Sequence, residues 1–285
     1  MSLVGIAATG AGTEDDPTDR FRTVTNRDET DPLDLTGRVA LVTGGTRGVG
    51  LGITAGLLAA GADVVVCGRT APEEPIRSGA GTAVFIAADV RDPDQVGQLF
   101  AEVSSRFGRL DVAVNNAGGS PVADAATASP RFSAAIVGLN LLAPLQVAQA
   151  ANAVMQSQPE GGSIINITSV SGTRPSPGTA AYGAAKAGLI NLTESLAAEW
   201  APKVRVNAVC GGAVATENLH KGHGGDPYIE SIEATVPMGR LADVVDIANA
   251  CLFLASPLAS YISGANLFVH GGGEVPPFLL LDRDH

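Results

Sequence analysis

A chain of 285 residues can bury one large core or two smaller ones. It is 45% hydrophobic, 16% charged and only 4% aromatic, with 35 glycines, which excludes a disordered chain and fits a tightly packed α/β protein with many short turns. A net charge of −11 argues against nucleic acid or any other polyanion as partner.

Residues 1–36 are polar, acidic and without helical or strand periodicity, so they are expected to form a flexible or surface-draped extension. Eight carboxylates there, from Glu14 to Asp34, face only Arg20, Arg22 and Arg27. The first residues lack the basic start of a signal peptide. From Gly37 the texture changes. Arg38–Thr43 is a short β-branched apolar run, read as a buried strand, and Gly48 to Gly61 is a helix with a glycine stop. Strands follow at Asp63–Cys67, Ala83–Ile86 and Asp111–Val114, with an amphipathic helix from Asp92 to Phe107 capped by Asp92 and opened by Pro93. Pro72, Pro75, Gly79 and Gly81 leave no room for a helix between the second and third strands, so a loop or single turn is expected there.

Ser129-Pro130 opens a long helix to about Gln156. A strand at Ser163–Ile167, a helix at Ala180–Trp200, a strand at Val204–Val209, a helix at Asp243–Leu254 and a strand at Asn266–Val269 complete the chain. Alternating apolar strands and helices predict a single Rossmann-like doubly wound α/β domain over 37–273, with a mainly parallel, about seven-stranded sheet covered on both faces. Residues 274–285 form an apolar C-terminal tail, expected to pack on the protein. Cys67, Cys210 and Cys251 lie in apolar runs and read as small buried hydrophobes of a reducing compartment. No apolar stretch approaches membrane-spanning length, and a cytoplasmic protein is expected.

The first strand runs into Thr43-Gly-Gly-Thr-Arg-Gly-Val-Gly50 and then a helix. Glycines at 44, 48 and 50 let the backbone approach a pyrophosphate, and the helix start supplies free N–H groups and a positive dipole end. With Asn115-Asn-Ala-Gly118 after the fourth strand, Tyr182-Gly-Ala-Ala-Lys186 and Pro237-Met-Gly-Arg-Leu241, the chain resembles the short-chain dehydrogenase/reductase family over residues 37–273. The resemblance implies a nicotinamide cofactor held by Gly44, Thr46, Arg47, Gly48, Val49 and Gly50. It also implies Asp89-Val90 against the adenine, Asn116, Ala117 and Gly118 along the adenosine ribose, and Gly212, Val214 and Thr216 at the nicotinamide and phosphates. The family usually has Pro-Gly where this chain has Gly211-Gly212, which is expected to loosen that loop.

Gly68 stands where NAD-type members carry Asp, and Arg69 follows it. Arg47 and Arg69 can clamp a 2′-phosphate, so NADP(H) is favoured, with NAD(H) the alternative.

Tyr182 and Lys186 share a helix face at i and i+4. A neighbouring ammonium is expected to lower the phenol's pKa, fitting Tyr182 to give a proton to a carbonyl oxygen or take one from an alcohol. Ser169, thirteen residues earlier, matches the family serine that hydrogen-bonds the substrate oxygen. Asn140, a polar amide in an apolar helix, matches the residue that holds a relay water beyond Lys186.

His220 and His223 lack a third ligand, and no metal site is expected. Glu217 to Val236 matches a variable substrate lid, with Tyr228, Ile229 and Ile232 as its apolar inner face. The apolar helix at 243–254 fits burial at a subunit contact, and the resemblance implies a homotetramer, or a dimer. The expected activity is NAD(P)(H)-dependent interconversion of a ketone or aldehyde with an alcohol. Two enzymatic alternatives stay open, a β-ketoacyl thioester reductase and an NAD-dependent alcohol dehydrogenase. A non-catalytic nucleotide sensor is the alternative of another class.

Overall fold

A computed structural model describes residues 31–217 and 226–275. Most of the expected extension (1–30), His220 and His223 in the lid, and tail residues 276–285 lie outside the described residues. The strands are β1 (Val39–Thr43), β2 (Asp63–Gly68), β3 (Arg77–Ser78), β4 (Gly81–Thr82), β5 (Val84–Ala87), β6 (Val112–Asn115), β7 (Gly162–Ser169), β8 (Val204–Gly211) and β9 (Asn266–Val269). The helices are α1 (Gly48–Ala59), α2 (Pro93–Phe107), α3 (Pro130–Val137), α4 (Ala143–Ser157), α5 (Ala180–Trp200), α6 (Asp226–Glu233) and α7 (Val244–Ala255).

Seven strands form one sheet in the order β5-β2-β1-β6-β7-β8-β9. Every pairing in it is parallel. The near-continuous apolar strands require cover on both faces, and the helices supply it. Side chains of α2, α4 and α5 pack on one face with Leu41, Val65, Ala113 and Ile164. Those of α1 and α7 pack on the other with Val42, Val66, Val114 and Ile165. The chain winds from β1 outward to β5, then returns to β6 and winds the other way. The carboxyl ends of β1 and β6 therefore flank the crevice where doubly wound sheets bind ligands.

Local chemistry sets the element ends. The Asp92 carboxylate accepts from the Asp94 and Gln95 amides, Pro93 needs no amide partner, and Gly108 closes α2 in the left-handed region at φ +69°. Asp243 and Asp246 form a reciprocal capping box at the start of α7.

Four details differ from the sequence reading. Leu35, placed there in the extension, is 2% exposed and donates its N–H to the Ala60 carbonyl at 2.7 Å. The proline-rich crossover holds a small antiparallel hairpin, β3–β4, turned at Gly79 with φ +56°. Strands β7 and β8 run two residues further than expected, to Ser169 and Gly211, so Gly211 is held in the sheet rather than loosened. The long helix is one 28-residue run, Pro130–Ser157, broken by a π-turn at Gly138–Leu142. Pro144 has no N–H to donate and crowds the preceding turn, and the backbone widens so that the Ala143 N–H reaches the Gly138 carbonyl. By length and composition that run is apolar enough to cross a membrane, contrary to the sequence expectation. Here Val147, Ala148, Ala151 and Met155 bury against the sheet.

Helices α1 and α7 approach closely because α1 carries glycines where they cross. A Cβ on Gly52 would lie 2.7 Å from Val244 Cβ, whereas one on Gly97 in α2 meets nothing within 4 Å. Gly97→Ala is therefore expected to stabilise by about 0.5–1 kcal/mol through helix propensity and chain entropy. Gly52→Ala is expected to destabilise by about 1–3 kcal/mol through overpacking. Urea unfolding of the two variants checks the opposite signs.

Candidate active site

The turn after β1 is built by Thr43 and Thr54, which the sequence reading did not single out, together with Asn116, which it placed along the adenosine ribose. The buried Thr43 hydroxyl accepts from the Asn116 and Ala117 amides, both at 3.0 Å. The Asn116 side-chain amide donates to the carbonyls of Thr43 (2.9 Å) and Gly44 (3.1 Å). Thr54 in α1 donates to the Gly45 and Gly50 carbonyls. The glycine turn is thus clasped to the segment after β6, and Asn116 spends its amide on the turn itself. Gly50 is required by this packing, since a Cβ there would lie 2.2 Å from the Gly44 carbonyl oxygen and 2.4 Å from the Asn116 amide nitrogen. Gly44 (φ +64°) and Gly48 (φ +52°) need the left-handed region that other residues avoid.

These features fit a pyrophosphate. Helix α1 has no side-chain cap at Arg47, so its first amides are open to an anion. Thr46 and Val49 are half-buried in the turn, and Thr216 comes within 3.7 Å of where a Gly48 Cβ would stand. Arg47 and Arg69 are both exposed, and no ion pair or hydrogen bond involves either guanidinium among the described residues. Gly68 has open space: a Cβ there meets nothing closer than 4.0 Å.

Other expected cofactor positions are more committed. The Asp89 carboxylate is gripped by Arg91 through Nε (2.9 and 3.2 Å) and Nη2 (2.5 Å), which holds its pKa down near 2. Val90 is 7% exposed and packs in the core. Gly212 donates to the Val269 carbonyl, and a Cβ there would press His270 at 2.9 Å, so only glycine fits. Val214 bridges to Ala242. In the segment expected to form a lid, Ile229 is buried, Ile232 is half-buried and Tyr228 is 40% exposed.

The four residues Asn140, Ser169, Tyr182 and Lys186 converge from three elements: the π-turn, the end of β7, and the first turns of α5. The Ser169 hydroxyl lies near enough to the Tyr182 phenol to lower its pKa, and it accepts from the Ser171 amide at 3.2 Å. Lys186 is 3% exposed and donates to the Ile167 carbonyl at 2.7 Å. Its ammonium lies 5.6 Å from the centre of the Tyr182 ring. Fully buried Asn140 accepts from the Gly119 amide (2.9 Å) and donates to the carbonyls of Gly119 (3.0 Å) and Ile136 (2.9 Å). A Cβ on Gly118 would stand 2.7 Å from Asn140 Oδ1 and 3.4 Å from Lys186 Nζ, so Gly118 joins the two side chains.

The phenol is not acidified as the i, i+4 spacing led us to expect. Burial raises the Tyr182 pKa, the Ser169 hydroxyl offsets part of this, and Cys210 adds to the rise. The ammonium sits over the ring and is tied to Ile167 rather than to the phenol oxygen. Burial lowers Lys186 in turn, to about 8. Cys67, Cys210 and Cys251 are free and buried. Among the described residues no group of three metal-ligating side chains occurs.

A family model described as enoyl-(acyl carrier protein) reductase matches residues 44–274. An uncharacterized oxidoreductase of Mycobacterium tuberculosis is 38% identical over 251 residues, covering 86% of this chain and 95% of the relative. A 3-oxoacyl-[acyl-carrier-protein] reductase of Synechocystis is 37% identical, covering 84% and 97%. The ligand-free aldohexose dehydrogenase of Thermoplasma acidophilum superposes with a TM-score of 0.78 at 31% identity, covering 84% of this chain and 94% of that one. The chain belongs to the short-chain dehydrogenase/reductase family and is an NAD(P)-dependent oxidoreductase.

Lys186 makes the apo fold pH-dependent in a definite direction. Its pKa is about 8 in the folded chain against an ordinary 10.5, so the unfolded chain binds more protons between those values and stability rises with pH there. The cost of burying the ammonium is full below about pH 8 and fades towards 10.5. Lys186→Met is expected to resist denaturant better than the parent at neutral pH, with the gap closing as pH rises through that window. Denaturation midpoints across pH check it, and a gap that stays constant contradicts it.

Proposed function

We propose that this protein interconverts a ketone or aldehyde with an alcohol, with Tyr182 as the general acid/base and NADP(H) as the preferred cofactor. The observation that carries the reading is the convergence of the Ser169 hydroxyl and the buried Lys186 ammonium on Tyr182, with the ammonium 5.6 Å from the centre of its ring. The nicotinamide, when bound, supplies or accepts the hydride. Ser169 donates to the substrate oxygen and fixes it at the phenol. Burial keeps Tyr182 protonated at neutral pH, ready to donate at the substrate oxygen. The Lys186 charge favours the phenolate that donation leaves behind. Asn140 holds a relay water next to Lys186, through which the proton is replaced. Asn140 also locks the Gly118–Gly119 backbone that borders the site.

Gly44, Thr46, Arg47, Gly48, Val49 and Gly50 would hold the pyrophosphate, with Asp89, Val90, Asn116, Ala117 and Gly118 on the adenosine side. Gly212, Val214 and Thr216 would sit at the nicotinamide end. The case for NADP(H) is electrostatic: two exposed guanidiniums without an ion pair among the described residues, and no carboxylate at Gly68 to repel a 2′-phosphate. Among acyl substrates, a carrier-bound thioester would need a basic rim. Arg131 and Arg174 are the scattered cations that could contribute to one, and Arg174 is ion-paired with Glu274. That favours a free small-molecule carbonyl. We place the protein in the cytoplasm as a homotetramer or dimer, on the exposed Val245, Phe268 and Tyr261 of the α7–β9 side; a monomer by light scattering would contradict the assembly.

Tyr182→Phe is expected to keep cofactor binding and lose about 10²-fold or more in turnover on a panel of carbonyl compounds. Near-normal turnover overturns the mechanism, and binding without turnover in the parent favours a sensor. Gly68→Asp has room to fold and is expected to move the NADPH/NADH ratio of kcat/KM at least about tenfold towards NADH, a shift of about 1.4 kcal/mol. An unchanged ratio contradicts the cofactor assignment.

A further inference from the structure

The layer between the sheet and helices α4 and α5 is largely apolar, and a connected row of polar side chains crosses it. Asn115 on β6 and Asn166 on β7 are register partners, and Thr193 lies on α5. They are 3%, 1% and 1% exposed. The Asn115 amide donates to the Pro144 carbonyl of α4 at 3.0 Å and to Asn166 Oδ1 at 2.9 Å. The Asn166 amide donates to the Thr193 hydroxyl at 2.9 Å, which donates in turn to the Leu189 carbonyl at 2.8 Å. The row is continuous from α4 across two strands to α5.

Each end of the row is rigidly tied to the site. Pro144 follows Asn140 by four residues, one turn along. Thr193 follows Lys186 by seven residues, two turns along the same face. Asn166 precedes Ile167, whose carbonyl takes the Lys186 ammonium, and precedes Ser169 by three residues. Apolar packing tolerates a small slide of a helix along a sheet. A buried hydrogen-bonded row does not, because a slide leaves a donor unpaired at a cost of about 1–3 kcal/mol.

We propose that Asn166 and Thr193 are positioning residues for the reaction, fixing the height of α5 on β7 so that the Tyr182 phenol meets the Ser169 hydroxyl. This rests on the assignment of Tyr182 as acid/base. Neither residue touches substrate or cofactor. Their effect is on alignment, and misplacement of about 1 Å at a reacting group costs about a hundredfold in rate.

The test replaces the hydroxyl by a methyl of the same shape, Thr193→Val, with Thr193→Ser as the variant that keeps the hydroxyl. Carbonyl reduction with NADPH is expected to lose about tenfold or more in kcat in Thr193→Val. KM and NADPH affinity should stay near the parent's, and Thr193→Ser should return most of kcat. A second readout needs no substrate. The chain has three tyrosines, so phenolate absorbance in a Tyr228→Phe/Tyr261→Phe background reports Tyr182 alone. Its titration is expected to move upward in Thr193→Val, because the Ser169 hydroxyl that lowers the phenol is drawn out of line with it, and to return in Thr193→Ser. An unchanged kcat per folded molecule with only a lower Tm, or no rescue by serine, overturns the positioning role. Thr193→Ala gives the same comparison if the valine variant does not fold. Tyr182→Phe is run alongside: if it retains turnover, the acid/base assignment fails whatever Thr193 does.

Discussion

Burying a lysine ammonium with no carboxylate beside it is the most demanding thing this fold does. Lys186 is 3% exposed, and it donates a hydrogen bond to a backbone carbonyl, that of Ile167. Such a charge is tolerated only where surrounding dipoles and a polarisable ring stand in for water. The surrounding chain is arranged to provide them. Strand β7 presents the Ile167 carbonyl to the ammonium. The π-turn places Asn140 on one side of Gly118 and Lys186 lies on the other, and the missing Cβ of Gly118 leaves room for both. The Tyr182 ring lies across the charge at 5.6 Å. The penalty is visible in the lowered pKa, and a protonated amine kept there serves a phenol that must pass through its anion.

The second organising fact is the reversal of winding between β1 and β6. It leaves two strand ends side by side, and the Thr43–Asn116 clasp converts that gap into a fixed seat for the glycine turn. The turn then has its amides facing out, its glycines packed where a Cβ would collide, and a helix start with no side-chain cap. Electrostatics at the seat is open on one side only. Asp89 is held by Arg91 and also feels the Arg69 charge, while neither Arg47 nor Arg69 makes an ion pair or hydrogen bond among the described residues. A site with spare positive charge in an otherwise acidic protein is a selective feature against its background, since the whole chain carries −11.

The sequence by itself determined most of the layout. Apolar runs marked all seven strands of the main sheet, because strands buried on both faces admit few polar residues. Asp92-Pro93 and Ser129-Pro130 marked helix starts through capping chemistry that acts within one turn. The order of the glycine turn, Asn115-Asn-Ala-Gly118, Ser169 and the Tyr182–Lys186 pair located the candidate site, since each motif sits at a strand end or helix start that local pattern can place. Tertiary structure decided the rest. The pKa directions of Tyr182 and Lys186 follow from burial and from where the ammonium points, and a spacing of four residues fixes neither. The π-turn needed both Pro144 and the demand of Asn140 for partners on another segment. The ion pair that neutralises Arg174 joins residues 100 apart in the chain. The row Asn115–Asn166–Thr193 looks in the sequence like three stray polar residues in apolar elements. Only the packing of α4 and α5 on adjacent strands makes it one connected structure, because a hydrogen bond is a statement about distance in space, and periodicity along a chain carries no information about that distance.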